Sequence, residues 1–274
     1  MARPSEREEG NPLEMRSTPR VATALSARLA IASLPAELPC RLRDLGTGGA
    51  CVQTPSPFAL EPLRRITIPL GSGPITLPVE GCWQRETLLE NAVLTGMRFL
   101  DLAPEDVKRV REFVQESANK LTTFLQERSE LSTLDLDEAL DVALLSRLRE
   151  ARPGTYVCHE GKMRLGEDSI YVVVNGKVAL EAAGARQHEL ELELIREGGV
   201  FGGLPLIADV PPPLSAVAAS DLVLLELDRN AFRYLERCKP SVAHRLSRVV
   251  VAKNVGHLRS ALARLTSPKA TAGR

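Results

Sequence analysis

The chain has 274 residues, of which 44% are hydrophobic and 26% charged, and its formal net charge is zero. At roughly 100–150 residues per domain that is room for two soluble globular domains. Balanced charge gives no electrostatic case for a nucleic-acid or membrane-surface partner, and no apolar run reaches the ~18–20 residues of a membrane span.

Taken in chain order, residues 1–13 read as a disordered N-terminus, and "MARPSEREEGNP" has no apolar core of a secretory leader. From Val21 to about Leu100 the chain shows short apolar runs between Gly and Pro: "LSARLAIA", "LPCRLRDL", "GACVQT", "RRITIPL", "ITLPVEGCW" and "LTGMRFL". Their spacing suits the strands of a small barrel or sandwich. The period then changes. Ala103-Pro104-Glu105-Asp106 suits a helix start, with proline in the first turn and acids at the positive end of the dipole. Val107, Val110, Val114, Leu121 and Leu125 share one helical face. A second helical stretch, "DLDEALDVALLSRLREAR", closes at Pro153-Gly154.

Strands return between Tyr156 and Leu227: "TYVCHEG", "SIYVVVNGKVALEA", "HELELELIREGG", "LSAVAAS" and "DLVLLELD". Asn175-Gly176 reads as a tight hairpin turn. Two helices follow, "RNAFRYLERC" and "SVAHRLSRVVVAKNVGHLRSALARL". Val242, Leu246, Val249, Leu258, Leu262 and Leu265 are available there for an apolar stripe that serves either the core or a partner seam. The pattern is two β domains separated by helices.

The stretch "RDLGTGGACV" poses the functional question, because glycines crowd a turn behind Asp44. Upstream lies "RSTPR", with Arg16 and Arg20 in RxxxR spacing. This pair of motifs, followed by the tail "LTGMRFLDLAPEDVKRVREFV", resembles the PilZ family of bacterial cyclic di-GMP receptors over roughly Glu14 to Ala118. The resemblance implies a six-stranded β-barrel and a ligand site at Arg16, Arg20, Asp44, Gly46 and Gly49. The chemistry suits these residues. A guanidinium bonds phosphate or the N7/O6 edge of guanine, a carboxylate accepts from guanine N–H groups, and glycines admit backbone donors. Arg16 and Arg20, on a flexible segment before the first strand, would close over the ligand. The family's serine is Gly46 here. The missing hydroxyl bond is worth about 0.5–1.5 kcal/mol, so Gly46→Ser is expected to strengthen binding.

The second half, roughly Leu131 to Ala263, resembles the cyclic nucleotide-binding fold of the catabolite activator protein and of kinase regulatory subunits, a β-roll (jelly-roll) with flanking helices. That family's phosphate cassette runs FGE, a short helix, then R(S/A)A. This chain has Phe201-Gly202-Gly203-Leu204, with Pro213 at the arginine position and Ser215 beyond it. The ribose acceptor and the phosphate partner are both missing, and loss of such a buried charge partner costs about 2–5 kcal/mol. Ordinary recognition of cAMP or cGMP is not expected, although a different ligand, or cAMP held by the Gly202 and Leu204 amides and Ser215, stays open.

The expected fold class is therefore mainly β with helices (α+β). Its parts are a disordered 1–13, a PilZ domain at 14–118, a helical linker at 119–130, a cyclic nucleotide-binding-like domain at 131–265 and a disordered tail at 266–274. The cysteines Cys40, Cys51, Cys82, Cys158 and Cys238 lack any CxxC and fit a reducing cytoplasm. His159, His188, His244 and His257 are scattered, no catalytic motif is found, and no metal or cofactor is expected. The reading is a non-enzymatic cytoplasmic receptor for cyclic di-GMP. Its second domain acts as an output or dimerisation module through 241–265, facing an unknown downstream protein, with no DNA-binding module and no membrane insertion. A ligand-independent scaffold, or a dual sensor of cyclic di-GMP and a cyclic mononucleotide, are the alternatives.

Overall fold

A computed structural model describes residues 19–61, 63–87, 92–164, 167–183 and 189–266. The first domain holds β1 (Arg20–Ala22), β2 (Ser26–Ile31), β3 (Leu38–Gly46), β4 (Gly49–Thr54), β5 (Leu63–Leu70), β6 (Gly73–Thr87) and β7 (Ala92–Phe99). Neighbours pair in the order β3-β2-β5-β6-β7-β4, and β4 returns to β3, so six strands close a barrel with antiparallel pairing. Closure removes free sheet edges. Alternation fills the interior: Leu29, Leu42, Leu45, Val52, Ile66, Ile68 and Leu77 are buried in one core.

Strand β1 adds to β3 on the same edge as β2, further along. Between them Thr23 donates to the Arg43 carbonyl, and Leu42 donates to the Leu25 carbonyl. The N-terminal segment is thus laid down as strand beside β3, and Arg20 is its first residue. The expectation of a flexible segment ahead of the first strand is corrected at Arg20. Arg16 lies outside the described residues.

Helix α1 (Pro104–Arg128) runs unbroken across the expected boundary between domain and linker. Val110, Val114 and Ala118 pack on the barrel core, and Leu125 joins the core of the second domain. Val107 and Leu121 are half-buried. One helix therefore roots in both cores. Leu125→Ala is expected to cost about 2–5 kcal/mol, as for a fully buried leucine, read as a lowered denaturation midpoint.

Helix α2 (Leu136–Leu145) starts with a capping box: the Asp135 side chain accepts from the Glu138 N–H, and Glu138 accepts from the Asp135 N–H. It ends at Leu145. The expected continuation of this helix to Arg152 is wrong, because Arg147–Ala151 forms strand β8 instead, paired with the strand that runs Leu222–Leu227. Tertiary pairing overrides a segment whose local composition favours helix.

The roll follows: β9 (Tyr156–Cys158), β10 (Ile170–Asn175), β11 (Val178–Ala183), β12 (Glu189–Ile195), β13 (Val200–Gly202), α3 (Leu204–Ile207), β14 (Ser215–Ala218), β15 (Leu222–Leu227), α4 (Arg229–Cys238) and α5 (Pro240–Thr266). Two four-stranded sheets, β13-β10-β15-β8 and β12-β11-β14-β9, enclose Tyr171, Phe201, Leu180, Leu214 and Leu224. Asn175-Gly176 is a tight turn with Gly176 at φ 94°, but its flanking strands belong to different sheets. It crosses between layers and is not the expected hairpin. Among the described residues, no helix is long and apolar enough to cross a membrane.

Candidate functional site

The Arg20/Asp44 cluster is built by a register shift. Between β3 and β4, Leu42 faces Val52 and Asp44 faces Cys51, so Arg43 is the extra residue of a bulge. Simple alternation from Leu42 would point Asp44 inward. The bulge re-aims it: Leu45 goes to the core and Asp44 to the outer surface. On β1, Arg20 pairs with Gly46 and Ala22 with Asp44, so Arg20 and Asp44 are diagonal neighbours on that outer face. Arg20 Nη1 donates to Asp44 Oδ1 at 2.8 Å.

Gly46 has a steric role. A Cβ there would lie 2.7 Å from Arg20 Cγ and 2.7 Å from the Pro19 carbonyl oxygen. The expected gain from Gly46→Ser meets a steric obstacle: the side chain displaces β1 from β3, and overpacking of about 1–3 kcal/mol should show as a lower melting temperature. Gly49 likewise permits close strand approach, since a Cβ there would meet the Met97 carbonyl oxygen at 2.2 Å. Its absent side chain serves β4–β7 packing.

The cross-strand register also assembles residues that spacing alone did not reveal. Ala22, Asp44, Cys51, Gly96 and Trp83 form one row across β1, β3, β4, β7 and β6. The Trp83 ring covers Gly96, where a Cβ would come within 2.2 Å of it, yet Trp83 is 45% exposed. At the other end Ala22 and Cys51 are buried at 5% and 6% exposure, although neither belongs to the barrel core. Strand β8 and helix α2 lie against this end. Burial pushes the Cys51 thiol up to about 12, with Asp44 adding to it and Arg20, Arg43 and Arg147 opposing.

The second domain places Phe201, Gly202, Gly203 and Leu204 at the β13–α3 corner, as the cassette order requires. Gly203 has φ 80°, and a Cβ would fall 2.9 Å from Ile170 Cγ1 and from Val250 Cγ1. Ser215 is engaged, its hydroxyl accepting from the Glu160 N–H at 3.0 Å. Pro213 lines a cavity together with Cys158, Glu167, Phe201, Gly202 and Asn254. That cavity is about 20 Å³, room for roughly one water, where ligand pockets hold about 300–1,000 Å³.

The helix α5 shuts it. Asn254 Nδ2 donates to the Gly202 carbonyl at 3.0 Å and to the Val250 carbonyl at 2.8 Å. The wall also carries an acid: Glu167 is buried and accepts from the His159 backbone N–H at 3.0 Å. Its other oxygen lies 2.8 Å from His159 Nδ1, so the acid is tied into the wall. No local pattern in the sequence marks Asn254 or Glu167 for these roles. Among the described residues no cluster of three or more His, Cys, Asp or Glu is arranged to hold a metal ion.

Comparison with known proteins fits this geometry. A PilZ domain model matches residues 14–116, and a cyclic nucleotide-binding domain model matches residues 148–237. The Cyclic AMP receptor protein of Thermus thermophilus is 33% identical over 117 residues, 42% of this chain and 53% of that protein. The HTH-type transcriptional regulator Cmr of Mycobacterium tuberculosis is 29% identical over 112 residues, 41% of this chain and 44% of that protein. The crystal structure of the Thermus thermophilus Catabolite Activator Protein is 28% identical, covering 48% of this chain and 61% of that one, with a TM-score of 0.41. The chain spans about half the length of the curated relatives it matches. Both matched domains are ligand-binding regulatory modules and not catalytic ones. The chain carries a PilZ domain followed by a cyclic nucleotide-binding domain, and helix α1 runs from the first toward the second.

Proposed function

We propose that this protein is a cyclic di-GMP receptor that binds its ligand on the outer face of the barrel at Arg20 and Asp44, with Arg16 completing the arginine pair. The observation that carries this is the Arg20–Asp44 pair itself, 2.8 Å apart on the outside of the barrel, where the bulge at Arg43 turns Asp44 outward. Trp83, exposed in the same row, offers a flat apolar surface for a guanine. The cyclic nucleotide-binding domain keeps its fold and serves as output. Its cassette lacks the acid and the arginine, and its cavity is too small for a nucleotide.

The output surface is α5. Val242, Leu246 and Val250 are buried in the core, while Val251, Val255, Leu258 and Leu262 are exposed along the far half. Steps of four, three and four are those of a coiled-coil seam, which fits pairing with a second copy. Val255→Asp combined with Leu258→Asp should turn a dimer into a monomer in sedimentation velocity. A wild type that stays monomeric across the micromolar range would remove this part of the reading.

A thermal-shift comparison tests the receptor assignment. Cyclic di-GMP at 100 times its Kd should stabilise the protein by about 2.7 kcal/mol, while the same concentration of cAMP leaves the midpoint in place. A shift with neither nucleotide would favour the scaffold alternative, and a shift with both would favour the dual sensor.

A further inference from the structure

We propose that helix α5 holds the protein to an anionic lipid surface, through its exposed apolar seam and the arginines beside it. The inference is independent of the cyclic di-GMP reading. The formal net charge of zero is the sum of two opposite parts. From Arg237 to Arg274 the sequence holds nine lysines and arginines and no aspartate or glutamate. The other 26 of the 35 cations share residues 1–236 with all 35 acids. The balance that gives no electrostatic case for a membrane surface therefore fails in this segment, and a block of one sign points to a partner of the other.

Helix α5 is apolar on two faces. Val242, Leu246 and Val250 enter the core of the roll, and the buried line continues as Asn254 and His257. One such stripe is what a helix needs to dock on its own domain. Val251, Val255, Leu258 and Leu262 form a second stripe, and all four are exposed. At 100° per residue the centres of the two stripes lie about 130° apart, so the second faces away from the roll.

The cations of α5 divide in the same way. Arg245 pairs with Glu138 and Lys253 with Glu130, which ties them to their own domain. Arg248 and Arg259 are exposed, and among the described residues neither has an ion-pair partner. Both flank the second stripe, within about 70° of its centre. A second copy of α5 brings no acid to meet them. Nucleic acid would meet the arginines and leave the four apolar side chains in water. An anionic bilayer meets both, since headgroups take the guanidiniums and the acyl boundary takes the valines and leucines. The helix lies along that surface without spanning it. Lipid then covers the seam in place of a second copy, so the bilayer draws on unpaired chains.

The test is cosedimentation of the full chain with vesicles of phosphatidylglycerol and phosphatidylcholine in equal parts, against phosphatidylcholine alone. The wild type should pellet with the mixed vesicles, stay in solution with the neutral ones, and be released by salt. Arg248→Gln combined with Arg259→Gln should weaken partitioning roughly 25-fold, at about fivefold per arginine. Leu262→Ser should weaken it roughly tenfold, which a contact made through charge alone would not do. These positions are exposed, so the melting temperatures of the variants should match the wild type. Equal pelleting with both kinds of vesicle, or a Leu262→Ser protein that partitions like the wild type, would overturn the inference. A wild type that pairs in sedimentation velocity and stays in solution with both would also overturn it, and would leave the seam to a second copy and the receptor reading untouched.

Discussion

Arg20→Ala is expected to abolish measurable cyclic di-GMP binding while leaving the barrel folded. The side chain lies outside the hydrophobic core, and its pair with Asp44 is partly buried, with side-chain exposures of 22% and 15%. One such hydrogen bond between charged groups is worth about 1.5–3 kcal/mol to stability. Its worth to a bound ligand is larger. A guanidinium that bonds both a phosphate oxygen and a guanine edge makes two charge-assisted hydrogen bonds at about 1.5–3 kcal/mol each. Losing both is two to four decades in affinity at ~1.4 kcal/mol per decade, which takes a micromolar site beyond the millimolar range. Arg20→Lys keeps the charge without the planar fork, and should recover only part of the loss. Titration paired with a melting curve separates binding from folding. An Arg20→Ala protein that binds as well as the wild type would place the ligand elsewhere.

Gly203→Glu, the substitution that nominally rebuilds the ribose acceptor, is expected to destabilise the second domain and to confer no cAMP binding. The backbone at Gly203 has φ 80°, and a Cβ would press on Ile170 and Val250 at 2.9 Å. The left-handed conformation costs about 1–2 kcal/mol for a residue with a side chain, and overpacking adds about 1–3 kcal/mol. The melting midpoint should fall by roughly 4–20 °C at ~2–4 °C per kcal/mol. Combining Gly203→Glu with Pro213→Arg should not rescue cAMP binding, because Asn254 and Glu167 still close the cavity. A stable double variant with micromolar cAMP affinity would show that the cassette residues alone had been missing.

Much of this was legible in the chain, and the limits are physical. Strand and helix order followed from apolar periodicity, because each element must bury one face. Arg20 and Asp44 are named from motif spacing, and the fold brings their side chains together. The bulge at Arg43 could not be named, since one extra residue in a ladder is defined only against its partner strand. The same holds for the row that carries Trp83, and for strand β8, whose segment reads as helix until β15 pairs with it. The family resemblance makes Gly46 a lost hydroxyl. Its actual demand, the approach of Pro19 and Arg20, depends on a strand that spacing did not place.

The most direct test of the central claim is calorimetric titration of the purified full chain with cyclic di-GMP. The receptor reading requires a saturating heat with a dissociation constant in the micromolar range. No heat up to millimolar ligand would contradict it, and would leave the barrel and the roll as a scaffold.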